Sequence, residues 1–313
     1  MKGRVLFIDS VHPVLRDELE SDGWKCDWFT HYTFDQIRAV IGEYDGVVIR
    51  SKFTMNRELI DLSTSLKFIA RSGSGLENID VDYAKSKGIQ IFNSPEGNRD
   101  AVGEQTLGML LALFQKLIQA DAQVREGIWD REGNRGLELK GKTVGIIGYG
   151  QMGAAFAERL RGFGCKVIAF DKYKSDFGSD WVSEAPLNEV WNKADIISFH
   201  VPLTTETHYY FNRQFISSCK KPIYLINTSR GRVVNTSDLV EAMKSGKVLG
   251  ACLDVMEYES TSFDADLKTE PEPLKYLKQS PQVVLTPHVA GWTKESYVKL
   301  SLVLLDKLRA VFP

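Results

Sequence analysis

The chain has 313 residues, 43% hydrophobic and 26% charged, with a formal net charge of −2. That is the make-up of an ordinary globular protein with room for two domains, not of a disordered or fibrous chain. The near-balanced charge leaves no electrostatic footprint for nucleic acid or an anionic membrane, so neither is expected as a partner. The four cysteines (Cys26, Cys165, Cys219 and Cys252) are scattered, with no C-x-x-C pair. They read as free thiols in a reducing compartment, not as disulfides or a metal site. The N-terminus leads straight into an apolar run without a signal-like segment, and the longest apolar run, 107–114, is too short for a bilayer. A cytoplasmic location is expected.

Residues 5–8 read as a strand, 15–19 and 35–41 as parts of helices, and 46–49 as a second strand. Residues 59–62 continue a helix, 68–70 form a strand, 79–87 a helix ended by Gly88, and 89–92 a further strand. Strands alternating with helices at this spacing predict a doubly wound α/β domain with a parallel sheet. Ligands bind at the carboxyl ends of such strands. The loops there are 50–52, 71–75 and 93–98. Gly73 and Gly75 flank Ser74, so successive backbone N–H groups can form an anion cradle. Arg50, Lys52 and Arg71 add positive charge. One such loop would read as solvated cations on a turn; three at one sheet end point to an anionic ligand.

Residues 102–125 read as one long helix, apolar nearly all round over 107–114 and so buried on more than one side, as an interdomain spine or a subunit contact. Residues 126–136 form a polar connector carrying Trp129. The stretch Thr143-Val144-Gly145-Ile146-Ile147-Gly148-Tyr149-Gly150-Gln151-Met152-Gly153 follows. Its apolar run is a short buried strand. Gly148 permits a tight turn, Gly150 lets the backbone approach a pyrophosphate, and Gly153 lets helix and strand pack closely. The next helix, with Phe156, Leu160 and Phe163 on one face, turns its positive N-terminal end toward that pyrophosphate. A second strand, 167–170, ends on Asp171, placed to accept from both ribose hydroxyls of NAD and to repel the 2′-phosphate of NADP. Strand, glycine loop, helix, strand and acid in this order predict a dinucleotide site with NAD as cofactor.

Beyond Asp171, residues 194–201, 222–226, 248–253 and 283–285 read as strands, and 237–243 as a helix. Residues 259–281 read as a long polar loop. The C-terminal helix begins near Thr293. Its Tyr297, Leu300, Leu304, Leu308 and Val311 share a face that is expected to pack on the first domain and make that domain discontinuous.

A nicotinamide enzyme needs a proton donor and acceptor, a group to tune it, and a cation for the substrate's anionic end. His12, His31 and His208 lie in polar or helix-start contexts. His200 and His288 stand at strand ends, where either could be catalytic. Arg230, between Ser229 and Gly231, could be aimed inward or form a surface ion pair. Glu257 and Glu259 both follow Asp254, and either could orient a histidine.

The chain resembles the D-isomer-specific 2-hydroxyacid dehydrogenases over nearly its whole length. The resemblance rests on Ala70-Arg71-Ser72-Gly73-Ser74-Gly75-Leu76-Glu77-Asn78-Ile79-Asp80 and Ala101-Val102-Gly103-Glu104. It rests also on residues 144–153, His200-Val201-Pro202-Leu203-Thr204, and residues 226–231, 250–255 and 286–288. It implies a Rossmann NAD-binding domain over 99–288 and a flavodoxin-like substrate domain over 1–98 plus 289–313. It implies a catalytic trio of Arg230, Glu259 and His288. By the same match Gly148, Gly150, Gln151, Met152, Gly153 and Asp171 bind the dinucleotide, with His200, Val201, Pro202, Thr106, Thr228 and Asp254 lining its site. Arg50, Lys52, Ser74, Gly75 and Asn98 hold the substrate.

Within the family the phosphoglycerate dehydrogenases are the nearest in pattern, through Arg50-Ser51-Lys52 and Asn98-Arg99. Oxidation of 3-phosphoglycerate in serine biosynthesis is therefore expected. Reduction of glyoxylate or hydroxypyruvate, another D-2-hydroxyacid dehydrogenase activity, or an NAD-sensing co-repressor without catalysis stand as alternatives. A homodimer through the NAD-binding domain is implied as well. The chain ends at Pro313 soon after its last helix, so feedback by serine is not expected. Three departures are visible: Ser260 where the family has Pro, a long stretch between Glu259 and His288, and Gly103 where the family has Ala.

Overall fold

The alternating pattern of the first hundred residues becomes a five-stranded sheet in the computed structural model, which describes residues 2–259 and 271–313. The strands are β1 (Gly3–Phe7), β2 (Trp24–Trp28), β3 (Gly46–Ile49), β4 (Phe68–Arg71) and β5 (Gln90–Asn93). All pair in parallel, in the order β2-β1-β3-β4-β5. That is the flavodoxin-like arrangement. Every residue of β3 and β4 is buried, as a sheet covered on both faces requires. Helices α1 (Val14–Ser21), α2 (Phe34–Val40), α3 (Arg57–Leu62) and α4 (Val81–Ser86) connect the strands. Three of them start on side-chain caps, Thr33, Asn56 and Asp80, each accepting from a first-turn N–H. The strand β2 was not read from the sequence. Its Trp24-Lys25-Cys26-Asp27-Trp28 has one fully buried side chain, so it lacks a clean apolar run.

The chain leaves this unit along α5 (Pro95–Phe114). The predicted helix over 102–125 is two helices. α5 starts earlier than expected, at a proline suited to a first helical position, so Asn98 is helical and not in a loop. It stops at Phe114, whose carbonyl accepts from Leu137 N at 2.8 Å. Lys116 then adopts a left-handed φ of 51° before α6 (Leu117–Arg125) begins.

The second unit holds a seven-stranded sheet of β6 (Thr143–Ile147), β7 (Lys166–Phe170), β8 (Val182–Glu184), β9 (Ile196–Phe199), β10 (Ile223–Asn227), β11 (Val248–Leu253) and β12 (Val283–Leu285). The order is β12-β11-β10-β9-β6-β7-β8, again all parallel. Strand order reverses between β6 and β9, the switch point at which a Rossmann sheet takes its dinucleotide. Its helices are α7 (Gln151–Leu160), α8 (Leu187–Lys193), α9 (Arg213–Ser218), α10 (Thr236–Lys244) and α11 (Glu272–Gln279). α11 occupies part of the stretch read as loop from the sequence; its other part, 260–270, lies outside the described residues, Ser260 included.

α12 (Lys294–Val311) opens on the Thr293 capping box and returns to the first unit. Its Leu304, Leu305 and Leu308 are buried against Val5, Phe7, Leu15 and Phe68, while Val311 stays exposed. Residues 2–99 and Trp292–Pro313 thus form one unit, and Asp100–Glu259 with 271–291 the other. No helix among the described residues is long and apolar enough to cross a membrane.

Candidate active site

In the second unit the glycine loop has the shape its sequence dictates. Gly148 takes a φ of 91°, and a Cβ there would stand 2.6 Å from the His200 carbonyl oxygen. A Cβ on Gly153 would collide with the Gly148 carbonyl, so helix α7 can sit this close to β6 only through glycine. A Cβ on Gly150 would meet nothing within 4 Å. That open space lies at the start of α7, whose cap, Gly150, offers no side-chain acceptor to the first-turn N–H groups. Gln151 and Met152 belong to that first turn. A helix N-terminus with no side-chain cap, beside open space, suits a pyrophosphate.

Asp171 follows β7 and is fixed by three backbone donors. Its Oδ2 accepts from Tyr149 N at 2.8 Å; its Oδ1 accepts from Tyr173 N at 2.9 Å and Lys174 N at 3.1 Å. The acid therefore stands at a set distance from the glycine loop. Glu206, in the loop after β9, accepts from Lys172 Nζ at 2.7 Å and Tyr173 Oη at 2.5 Å. Nothing in the sequence pattern announced that bridge.

His200 is buried after β9, its Nε2 2.8 Å from Ser198 Oγ and its ring 5.5 Å from that of Phe156. Burial pushes its pKa down to about 3, so it is neutral and has no proton to give near pH 7. Of the two strand-end histidines left open by the residue pattern, this is the one the resemblance sets along the cofactor site; Val201 and exposed Pro202 follow it. Thr106 of α5 is wholly buried, donating to Val102 O at 2.6 Å and lying 3.1 Å from Thr228 Oγ1.

The other histidine has a carboxylate partner. His288 Nδ1 lies 2.7 Å from Glu259 Oε2, with both side chains largely buried. Glu259 Oε1 accepts from Met256 N. Glu257 points elsewhere: its Oε1 accepts from Thr236 N at 3.2 Å. The residue pattern alone left both acids open and the family resemblance chose Glu259; the turn at 256–259 sets that acid beside His288. Asp254, 1% exposed, clamps the histidine loop, accepting from Thr286 Oγ1 at 2.5 Å, Val289 N at 2.9 Å and Ala290 N at 2.9 Å. His288 holds a left-handed φ of 54° in that clamp, an unusual backbone state for a non-glycine residue. Arg230 extends from the loop after β10, its Nη1 donating to Ser229 O at 2.7 Å, and its carbonyl accepts from Asn227 Nδ2 at 2.9 Å. Gly231 has no room for a Cβ against the Met256 backbone, so the Arg230 and Glu259 loops run side by side.

In the first unit the cradle is built at the ends of β3, β4 and β5. Ser74 Oγ donates to Asn98 Oδ1 at 2.7 Å, and Ser74 O accepts from Asn93 Nδ2 at 2.7 Å. Gly73 and Ser94 bond to each other twice, which fixes the loop leading into Gly75. Arg71 is 7% exposed and its Nε donates to the Arg50 carbonyl at 3.3 Å, so it braces the loop. Lys52 differs from the expectation of a substrate-facing cation. Its ammonium donates to Thr30 O at 2.5 Å and Tyr32 O at 2.7 Å. Arg50 remains the half-buried cation of this loop.

A Rossmann sheet carrying an acid after its second strand is a dinucleotide-binding module. The family model for the D-isomer specific 2-hydroxyacid dehydrogenase, NAD binding domain, matches residues 107–290. A hydroxypyruvate reductase from Thermotoga maritima is 36% identical over 280 residues, 89% of this chain and 88% of that protein. A D-3-phosphoglycerate dehydrogenase from Methanocaldococcus jannaschii is 33% identical, covering 98% of this chain and 57% of its own length. The chain thus spans little more than half of such phosphoglycerate dehydrogenases. Among solved structures, D-lactate dehydrogenase from Aquifex aeolicus complexed with NAD and lactic acid superposes with a TM-score of 0.82 at 29% identity, covering 98% of this chain and 95% of that one. A glyoxylate reductase from Paecilomyes thermophila gives 0.86 at 25% identity, covering 99% and 95%. The chain belongs to the D-isomer-specific 2-hydroxyacid dehydrogenases, a family of NAD-dependent oxidoreductases.

Proposed function

We propose that the chain interconverts a D-2-hydroxy acid and its 2-keto acid with NAD, and that 3-phosphoglycerate is the hydroxy acid. The observation that carries the reaction class is the buried His288–Glu259 pair in the same unit as the glycine loop and Asp171. Bound NAD would supply or accept the hydride. Glu259 takes the Nδ1 side of the ring, which leaves proton transfer to the substrate oxygen to Nε2. In the oxidation direction His288 accepts the hydroxyl proton; in reduction it returns it. Arg230 would hold the carboxylate and polarise the carbonyl, the role the family resemblance assigns.

For the substrate's far end, Arg50 favours a second anion beyond the carboxylate. Hydroxypyruvate reduction is the second reading, favoured by the relative from Thermotoga maritima that matches over most of both chains. Turnover followed by NADH absorbance decides between them, with 3-phosphoglycerate and NAD in one set and hydroxypyruvate, glyoxylate or 3-phosphohydroxypyruvate and NADH in the other. No turnover on any of these would sink the enzyme reading. Replacing His288→Ala should cost roughly 10²- to 10⁴-fold in kcat while NADH still binds; unimpaired turnover would remove His288 from the mechanism. The exposed apolar side chains Leu117, Ile118, Val124 and Trp129 on and after α6 support a homodimer through the NAD-binding domain.

A further inference from the structure

Arg50 has an unusual balance for a loop cation. It is half-buried, and among the described residues no carboxylate stands within ion-pair distance of its guanidinium. Its Nη1 donates to Ser10 O at 3.1 Å. Asp9, the acid whose charge reaches it, has its Oδ2 occupied by the backbone N–H groups of Arg50 and Lys52, at 2.5 and 3.2 Å. Burial draws the guanidinium below its ordinary pKa, against the pull of Asp9 and Tyr297. A partly desolvated cation without an anion costs free energy until one arrives.

The backbone at Arg50 is hydrogen-bonded on both sides. Its carbonyl accepts from Asn78 Nδ2 at 2.8 Å and Arg71 Nε at 3.3 Å, so it is bolted to the Ser74 cradle. The guanidinium itself stands over an indole: Arg50 Cζ is 4.2 Å from the centroid of Trp292. Trp292 precedes the Thr293 cap of α12 and is 55% exposed, too open to be core filling. Its ring also lies 6.4 Å from that of Tyr297, which in turn meets His12 edge-on at 5.4 Å. The ring and the Ser10 carbonyl restrain the guanidinium from two sides, and a restrained guanidinium can turn a forked N–H edge to phosphate oxygens in pairs.

We propose that Trp292 is a positioning residue that sets substrate selectivity: it holds the Arg50 guanidinium so that its remaining N–H edge receives a phosphate borne beyond the reacting carbon. The assignment rests on the reading above that the substrate carries such a group. With the purified full chain and NADH, kcat/KM is measured for 3-phosphohydroxypyruvate and for glyoxylate, which has nothing beyond its aldehyde. Trp292→Ala should lower the ratio of the two about tenfold, mainly through KM for the phosphorylated acid. Trp292→Phe, which keeps a flat ring, should recover most of it. An unchanged ratio, or an equal fall on both acids, overturns the proposal. A wild-type protein that reduces glyoxylate but not 3-phosphohydroxypyruvate defeats the proposed substrate and leaves Trp292 to be judged by inhibition. D-3-phosphoglycerate should then inhibit glyoxylate reduction, with an inhibition constant about tenfold higher in Trp292→Ala. No inhibition of the wild type, or equal inhibition of both proteins, overturns it.

Discussion

Among single residues, His200 ties stability to pH most directly. Its pKa is about 3 in the folded protein, against an ordinary value near 6.5, because burial penalises the imidazolium. Between those two values the unfolded chain binds a proton that the native one does not. Stability is therefore fully present above about pH 6.5 and falls on acidification by up to about 1.4 kcal/mol per pH unit. Urea unfolding at pH 7 and pH 5 should show a smaller loss in His200→Asn than in the wild type; equal losses would mean that His200 titrates normally. The residue pattern placed His200 and His288 at strand ends but could not rank them; only the family resemblance singled out His288, without a physical ground. The ranking comes from Phe156 and Ser198 around one ring and Glu259 beside the other, all contributed by tertiary structure. Lys52 shows the same limit: its partners are two main-chain carbonyls at 30 and 32, invisible to any side-chain pattern.

For the elements, the departure at Gly103 has a physical reason. α5 and α7 approach so closely that a Cβ on Gly103 would stand 2.8 Å from the Ala155 carbonyl oxygen. The contact is with backbone, which cannot swing aside. Gly103→Ala should destabilise by about 1–3 kcal/mol, the usual range for overpacking, read as a lowered Tm. A gain in Tm, as expected for alanine in an open helix, would show that the helices shift apart freely. Strand–glycine–helix–strand–acid was legible because each residue type there answers a local steric or electrostatic demand. The end of α5 was not: no glycine or proline marks residues 115–116, and the break is made by Leu137 taking the Phe114 carbonyl. α11 was hidden by its prolines, of which Pro271 turns out to be its cap and Pro273 to lie in its first turn.

The whole molecule repeats one plan, a parallel sheet with loops gathered at the strands' carboxyl ends, and that much was evident from the spacing of apolar runs. Whether two chains associate was not. Leu117 and Ile118 are both more than half exposed at the start of α6, and Trp129 is 79% exposed beyond its end. Leu117→Glu combined with Ile118→Glu should convert the proposed dimer to a monomer in sedimentation velocity. A wild type that is already monomeric, or a dimer that survives the double change, would place the contact elsewhere or remove it.

Among the described residues β12 pairs with β11 through Ala251, Cys252 and Leu253 alone, and has no strand on its other side. His288, the proposed proton carrier, hangs three residues beyond that edge, whereas the glycine loop and Asp171 hang on interior strands. The two halves of the reaction centre therefore need not melt together. In mild urea, turnover should vanish while NADH fluorescence still reports binding, and coincident loss would show that the edge strand is as firmly held as the middle of the sheet. An enzyme built this way has its fuse at the sheet's margin: it falls silent before it falls apart.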